Sequence, residues 1–175
     1  ADFPSRQFYE GKLCPIPLAH QEATISLPRV AFYDCPPDAL ELGHSPKGNP
    51  AEARLIARLS VEEYERFAAQ NGRFDPRKDL GIIVPYRRQI ALVRNALLQS
   101  AHPELADVTI DTVERFQGSE CNTIIYGFTV SRASQLAFLC GTQFEDECGQ
   151  WVDRKLNVAL TRARERMLIV GYRPL

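Results

Sequence analysis

Asp153-Arg-Lys-Leu-Asn-Val-Ala-Leu-Thr-Arg-Ala-Arg-Glu-Arg-Met-Leu-Ile-Val-Gly171 carries the densest pattern in the chain. At about 100° per residue, Val152, Leu156, Ala159, Leu160 and Ala163 gather on one helical face, and Asn157, Thr161 and Arg164 share a second. The spacing predicts a helix over Val152–Arg166 that runs straight into an apolar strand at Met167–Val170. Arg162 falls at the border of the apolar stripe, where its stem can pack while its guanidinium projects. Taken alone, arginines on such a face are usually solvated, and cations near a helix C-terminus stabilise it in any case.

Outward from this helix and strand the same alternation repeats. Short runs rich in Val, Ile, Phe and Tyr predict strands at Val30–Tyr33, Leu80–Val84, Val108–Ile110 and Thr123–Val130. Helical spacing predicts Pro50–Asn71, entered through Asn49 as N-cap and Pro50 as first helical residue, and Arg87–Gln99. Strands alternating with helices imply a mostly parallel sheet covered on its faces, an α/β fold. In such sheets ligand sites form at the carboxyl ends of the strands, so the polar loops there are where function is expected. Residues 1–28, with Pro4, Pro15, Pro17 and Pro28, are expected to be an extended lead-in from an upstream domain, and residues 29–175 one domain. Residues 131–150 are expected to be a long surface connection.

Composition narrows the function classes. The chain has 175 residues, 45% hydrophobic and 25% charged, enough for one proper core. A formal charge of −1 excludes a protein that coats nucleic acid through a broad basic surface, so any such contact must be local. The five cysteines form no C-x-x-C pair, and their spacing to His44 or His102 matches no zinc pattern; no metal site is expected. With no signal-peptide pattern and no spanning apolar run, a cytosolic or nuclear compartment and no membrane contact are expected.

Two further segments carry candidate chemistry. Ile110-Asp-Thr-Val-Glu-Arg-Phe-Gln-Gly-Ser-Glu120 leaves a strand as a polar loop with one glycine, suited to a phosphate, a ribose or a nucleic-acid backbone, although a lone Gln-Gly is more often a turn. Leu80-Gly-Ile-Ile-Val-Pro-Tyr-Arg-Arg-Gln89 is a buried strand stopped by Pro85, after which Tyr86 and Gln89 are expected to be exposed. Tyr86 could stack on a base and Arg87 or Arg88 meet phosphate.

In chain order, the three segments resemble motifs IV, V and VI of superfamily 1 helicases, in particular the 5′→3′ group that includes the RNA helicases of nonsense-mediated decay. Phe3-Pro-Ser-Arg-Gln-Phe-Tyr-Glu-Gly-Lys-Leu13 resembles the segment by which that family enters its second domain. The resemblance implies a RecA-like three-layer α/β/α sandwich: the second RecA-like domain of an ATP-dependent DNA or RNA helicase. It implies ATP and Mg2+, held mainly by a first domain of the same chain. Gly11-Lys12 is no P-loop, and Asp146-Glu147-Cys148-Gly149 is a decoy for the magnesium-binding acid, because Phe144 and Glu145 do not make the apolar strand it requires.

Residue by residue, the resemblance implies that Arg162 reaches the γ-phosphate, and that Gln117, Gly118 and Glu120 approach the nucleotide. Pro85, Tyr86, Gln89 and Thr112 would lie near single-stranded DNA or RNA. Ser119 and Lys155 depart from the family, which often places arginine at both positions. The isolated domain is expected to be monomeric and to hydrolyse no ATP. The competing expectation is a RecA-like module that binds nucleic acid or protein without catalysis. A Rossmann enzyme is disfavoured, since no Gly-x-Gly-x-x-Gly opens a helix.

Overall fold

The computed structural model describes residues 27–36, 47–116, 118–130, 144–145, 151–152 and 154–173, together with Lys12, Arg132 and Gln135. The lead-in resemblance, the Gly11 and Asp146–Gly149 readings, Cys14, Cys140, Cys148, His44 and Gln117 lie outside the described residues.

The chain forms β1 (Val30–Asp34), α1 (Pro50–Asn71), β2 (Leu80–Ile83), α2 (Arg87–Leu98), a 3-10 turn (Pro103–Asp107), β3 (Thr109–Asp111) and β4 (Cys121–Gly127). There follow β5 (Phe144–Glu145), β6 (Trp151–Val152), α3 (Arg154–Leu160) and β7 (Ala163–Gly171). Five strands make one sheet in the order β1-β7-β4-β2-β3, and every pair in it is parallel. This is the α/β architecture expected from the alternation.

The period-two alternation of the strands divides the core between the two faces. Leu80 and Ile82 of β2, Ile125 of β4 and Leu168 and Val170 of β7 pack with Ala53, Ile56 and Leu59 of α1 and Val93 and Leu97 of α2. Their neighbours Ile83, Ile124, Tyr126 and Met167 point the other way, onto Val113, Phe116 and Ala159 of α3. Ile56, Leu59, Leu80, Ile82, Phe116 and Ile124 are fully buried. Each such side chain contributes about 1.5–3 kcal/mol by leaving water.

Helix α1 begins as expected. Asn49 Oδ1 accepts the Glu52 N–H at 3.0 Å, and Pro50 follows as the first helical residue. Strand β4 ends three residues earlier than its apolar run suggests, because Thr129 turns to a φ of 56°.

One expectation is corrected, and two elements are added to the sequence reading. The helix at 152–166 is shorter: Val152 belongs to β6, and residues 163–166 are strand. Their charges follow a helical spacing, but Cys121 pairs with Ala163 and Thr123 with Arg166 in the parallel ladder. Pairing along β4 overrides local helix propensity. The connection 131–150 contains structure of its own: Phe144–Glu145 pairs antiparallel with Trp151–Val152, apart from the main sheet. The 3-10 turn before β3 has no counterpart in the sequence reading.

Candidate functional site

In a parallel sheet all strands point the same way, so the site residues can be sorted by the end of the strand they flank. Pro85 and Tyr86 follow β2, and Thr112 follows β3, at the carboxyl edge. Gly118 and Glu120 immediately precede β4, and Arg162 immediately precedes β7, at the amino edge. The expectation that all informative loops sit at the carboxyl ends is therefore corrected. The seven residues of β4 place the two edges roughly 20 Å apart at about 3.3 Å per residue.

At the amino edge, the ladder between β4 and β7 opens with Cys121 N donating to the Arg162 carbonyl at 3.1 Å. That bond holds the residue after Glu120 against Arg162. Arg162 stands in the turn after α3, not on the helix surface, because its N–H closes on the Ala159 carbonyl at 3.2 Å. Its Nε donates to the Val158 carbonyl and an Nη to Thr161 Oγ1, both at 3.1 Å. No carboxylate among the described residues pairs with it, so the rest of its planar N–H fork remains available to an anion.

Glu120 Oε2 accepts from Arg164 Nε at 3.2 Å, with both side chains 47% exposed. At that exposure the pair is worth at most about 1 kcal/mol and yields readily to a ligand. Gly118 is exposed at a φ of 87°, which disfavours any side chain, and a Cβ there would meet nothing within 4 Å. Beside it, Ser119 N donates to the Phe116 carbonyl at 3.1 Å. Cys121 is a buried thiol pushed up to about 11, chiefly by burial, which keeps it protonated and inert.

The stretch 112–120 joins the edges. Thr112 starts it at the carboxyl edge, where its carbonyl accepts from the Arg115 and Phe116 N–H groups at 3.1 and 3.0 Å. Val113 and Phe116 bury themselves on the sheet face midway. Glu114 on the outer side binds Lys155 of α3 at 2.9 Å, and this hydrogen bond holds its carboxyl below the usual range. Lys155, one of the two departures from the family pattern, thus ties the third segment to the second.

At the carboxyl edge, Tyr86 is half-buried and caps α2 through its backbone, its carbonyl accepting from Ile90 N at 3.0 Å. Burial raises its phenol above the ordinary value, so it is neutral at physiological pH. Gln89 corrects the sequence reading, which expected it exposed. It is fully buried, with Oε1 accepting from Asn49 N at 2.7 Å and Nε2 donating to the Asn49 carbonyl at 3.0 Å. Beside Thr112, Arg87, Ile90, Arg94, Ile110, Asp111, Glu114 and Arg115 line a groove of about 440 Å³. Its three arginines come from α2 and the crossing stretch and face two carboxylates, Glu114 and Asp111, the latter paired with Arg115 at 3.7 Å.

Sequence reasoning missed Arg164, Arg94 and Arg115, whose spacing gives no sign that they meet Glu120 or line this groove. It also missed Glu52 and Thr129, described below. Among the described residues no helix is long and apolar enough to cross a membrane.

Residues 1–174 match the AAA domain family. The chain is 34% identical over 125 residues, 71% of its length, to DNA-binding protein SMUBP-2 of Rattus norvegicus. It is 32% identical over 123 residues, 70% of its length, to DNA replication ATP-dependent helicase/nuclease JHS1 of Arabidopsis thaliana. A probable helicase of Dictyostelium discoideum is 27% identical across 97% of the chain. These alignments span 10%, 8% and 16% of the three relatives, so the chain corresponds to a small part of each.

Proposed function

The chain belongs to the AAA domain family, a superfamily 1 helicase-type family, and from that premise we propose that it is the second RecA-like half of an ATP-driven motor on single-stranded DNA or RNA. Its amino edge completes an ATP site shared with a first RecA-like domain, and its carboxyl edge grips the strand. The observation that carries the reading is the sorting of the site residues to opposite edges, with 112–120 running between them.

In this reading Arg162 offers its fork of N–H groups to the γ-phosphate as charge develops there in phosphoryl transfer. Glu120 faces the ribose once it releases Arg164, and the open space over Gly118 admits the nucleotide. ATP and Mg2+ supply the phosphoryl group and its charge neutralisation; no acid of this chain is assigned to the metal, which belongs to the other domain. At the carboxyl edge Tyr86 stacks a base and Thr112 meets the backbone, while Arg87, Arg94 and Arg115 neutralise phosphates along the groove. Closure and opening of the two domains gate the cycle.

The test is Mg2+-dependent ATP hydrolysis with and without a single-stranded oligonucleotide. The full-length protein is expected to be stimulated by the strand, and residues 1–175 alone to show no turnover. Robust hydrolysis by the isolated domain, freed of contaminating ATPases, would defeat the assignment of half a site. A full-length protein indifferent to the strand would favour the non-catalytic binding module.

A further inference from the structure

Beneath the carboxyl edge lies a carboxyl group that none of these roles uses. Glu52, in the first turn of α1, is fully buried. An N-cap followed three residues later by Glu normally lets that carboxylate reach back to the N-cap N–H. Here the Asn49 N–H is taken by Gln89 Oε1 at 2.7 Å. The Glu52 carboxyl turns inward instead, where Oε1 accepts from Gln89 Nε2 at 3.3 Å. Thr129 N–H donates to Oε2 at 2.8 Å and to Oε1 at 3.0 Å, and Thr129 Oγ1 donates to Oε1 at 3.1 Å.

Two features show that this contact shapes the backbone. Thr129 sits at a φ of 56°, a region that a β-branched residue occupies only when its surroundings over-determine it. Gly127 leaves room for the carboxyl, since a Cβ there would lie 2.7 Å from Glu52 Oε1. The loop after β4 is adjacent to the loop after β2, because Ile83 pairs with Tyr126. Gln89 belongs to the same first turn of α2 that Tyr86 caps.

We infer that Glu52 is a positioning residue for strand binding: through Thr129 on one side and Gln89 on the other, it fixes the loop at 128–130 relative to Tyr86. This rests on the reading that the carboxyl edge grips a strand. Burial raises Glu52 to about 8, so the clasp is neutral at pH 7. The groups that face its carboxyl are Gln89 from α2 and Gly127 and Thr129 from β4 and its loop; none of them titrates, and no charged group among the described residues acts on it. The folded pKa is above the ordinary carboxyl value, so the folded state binds the extra proton. Stability from this group is full below 4.5 and is lost as pH rises through about 8.

The experiment uses the full-length protein and a fluorescent single-stranded oligothymidine. Anisotropy gives the strand Kd, and ATPase assays give separate half-saturation values for strand and ATP. Glu52→Ala is expected to weaken strand binding about tenfold, the scale of losing buried hydrogen bonds, while the KM for ATP stays within about twofold. Glu52→Gln, a neutral isostere, is expected to restore the wild-type strand Kd at pH 7 and to lack the wild type's weakening above pH 8. An unchanged strand Kd in folded Glu52→Ala, or an equal loss in the KM for ATP, would overturn the inference. If Glu52→Ala does not fold, the pH profile decides, and a Glu52→Gln profile identical to the wild type's overturns the inference. Wild-type protein that binds no strand overturns the functional reading itself, a result separate from any ratio between variants.

Discussion

Beneath the carboxyl edge the buried polar groups are neutral at pH 7: Asn49, Gln89, Thr129 and a protonated Glu52. Toward the amino edge the buried groups are charged. Glu63 is bound by Arg66 at 2.8 Å and by Arg166, and it accepts from Thr123 Oγ1 at 2.8 Å. Arg166 Nε also reaches the Pro28 carbonyl at 3.2 Å, at the entrance to β1. A neutral cluster can be loosened by one proton, whereas a saturated ion network holds fixed geometry until it is broken outright. The edge proposed to meet ATP is anchored four residues past Arg162 by that network. The strand-facing edge sits on the adjustable one.

The first way to break this contrast is at the finger itself. Arg162→Ala in the full-length protein is expected to cut strand-stimulated turnover by roughly 10³ to 10⁵, with nucleotide Kd much less affected. Unchanged turnover would reject the amino edge as an ATP site. The second is to strip the anchor: Glu63→Ala leaves Arg66 and Arg166 buried without their carboxylate, a loss of about 3–5 kcal/mol in urea unfolding of the folded domain. A loss under about 1 kcal/mol would mean the network is no anchor.

Sharper still is a change between the edges. A Cβ on Gly81 would lie 2.7 Å from Phe116 Cζ and 2.9 Å from Ile124 Cδ1. Gly81→Ala is therefore expected to cost about 1–3 kcal/mol, read as a lower thermal midpoint, by displacing the side chain that pins the crossing stretch. The smallest effect is expected for Arg164→Ala, which removes a half-exposed pair and shifts stability by less than about 1 kcal/mol. A larger shift would show that Glu120 is held for folding instead of for a ligand.

The sequence made legible whatever each segment states within itself. The apolar runs of β2 and β4, and the Asn49–Pro50 entry to α1, carry their signals over a few neighbouring residues, and the structure follows them. Residues 163–166 failed as a helix because the partner that explains Arg166 is Glu63, 103 residues earlier. Gln89 was read as exposed because nothing near it in sequence announces Asn49, 40 residues back, as its partner. Glu52 was invisible for the same reason, since Thr129 lies 77 residues away. The second departure from the family pattern, Ser119, has its N–H on Phe116, and nothing in the structure explains the loss of an arginine there.

The stretch 112–120 has one more property. Nine residues fully extended reach roughly 30 Å at about 3.3 Å each, against the roughly 20 Å between the rims of the sheet. The surplus is coiled into the turn closed by the Thr112 carbonyl on Arg115 and Phe116. This connector therefore holds slack. It can lengthen by unwinding one turn, so the loop around Gly118 can move while the strands hold the two rims at fixed spacing and every rung of the parallel ladder stays closed.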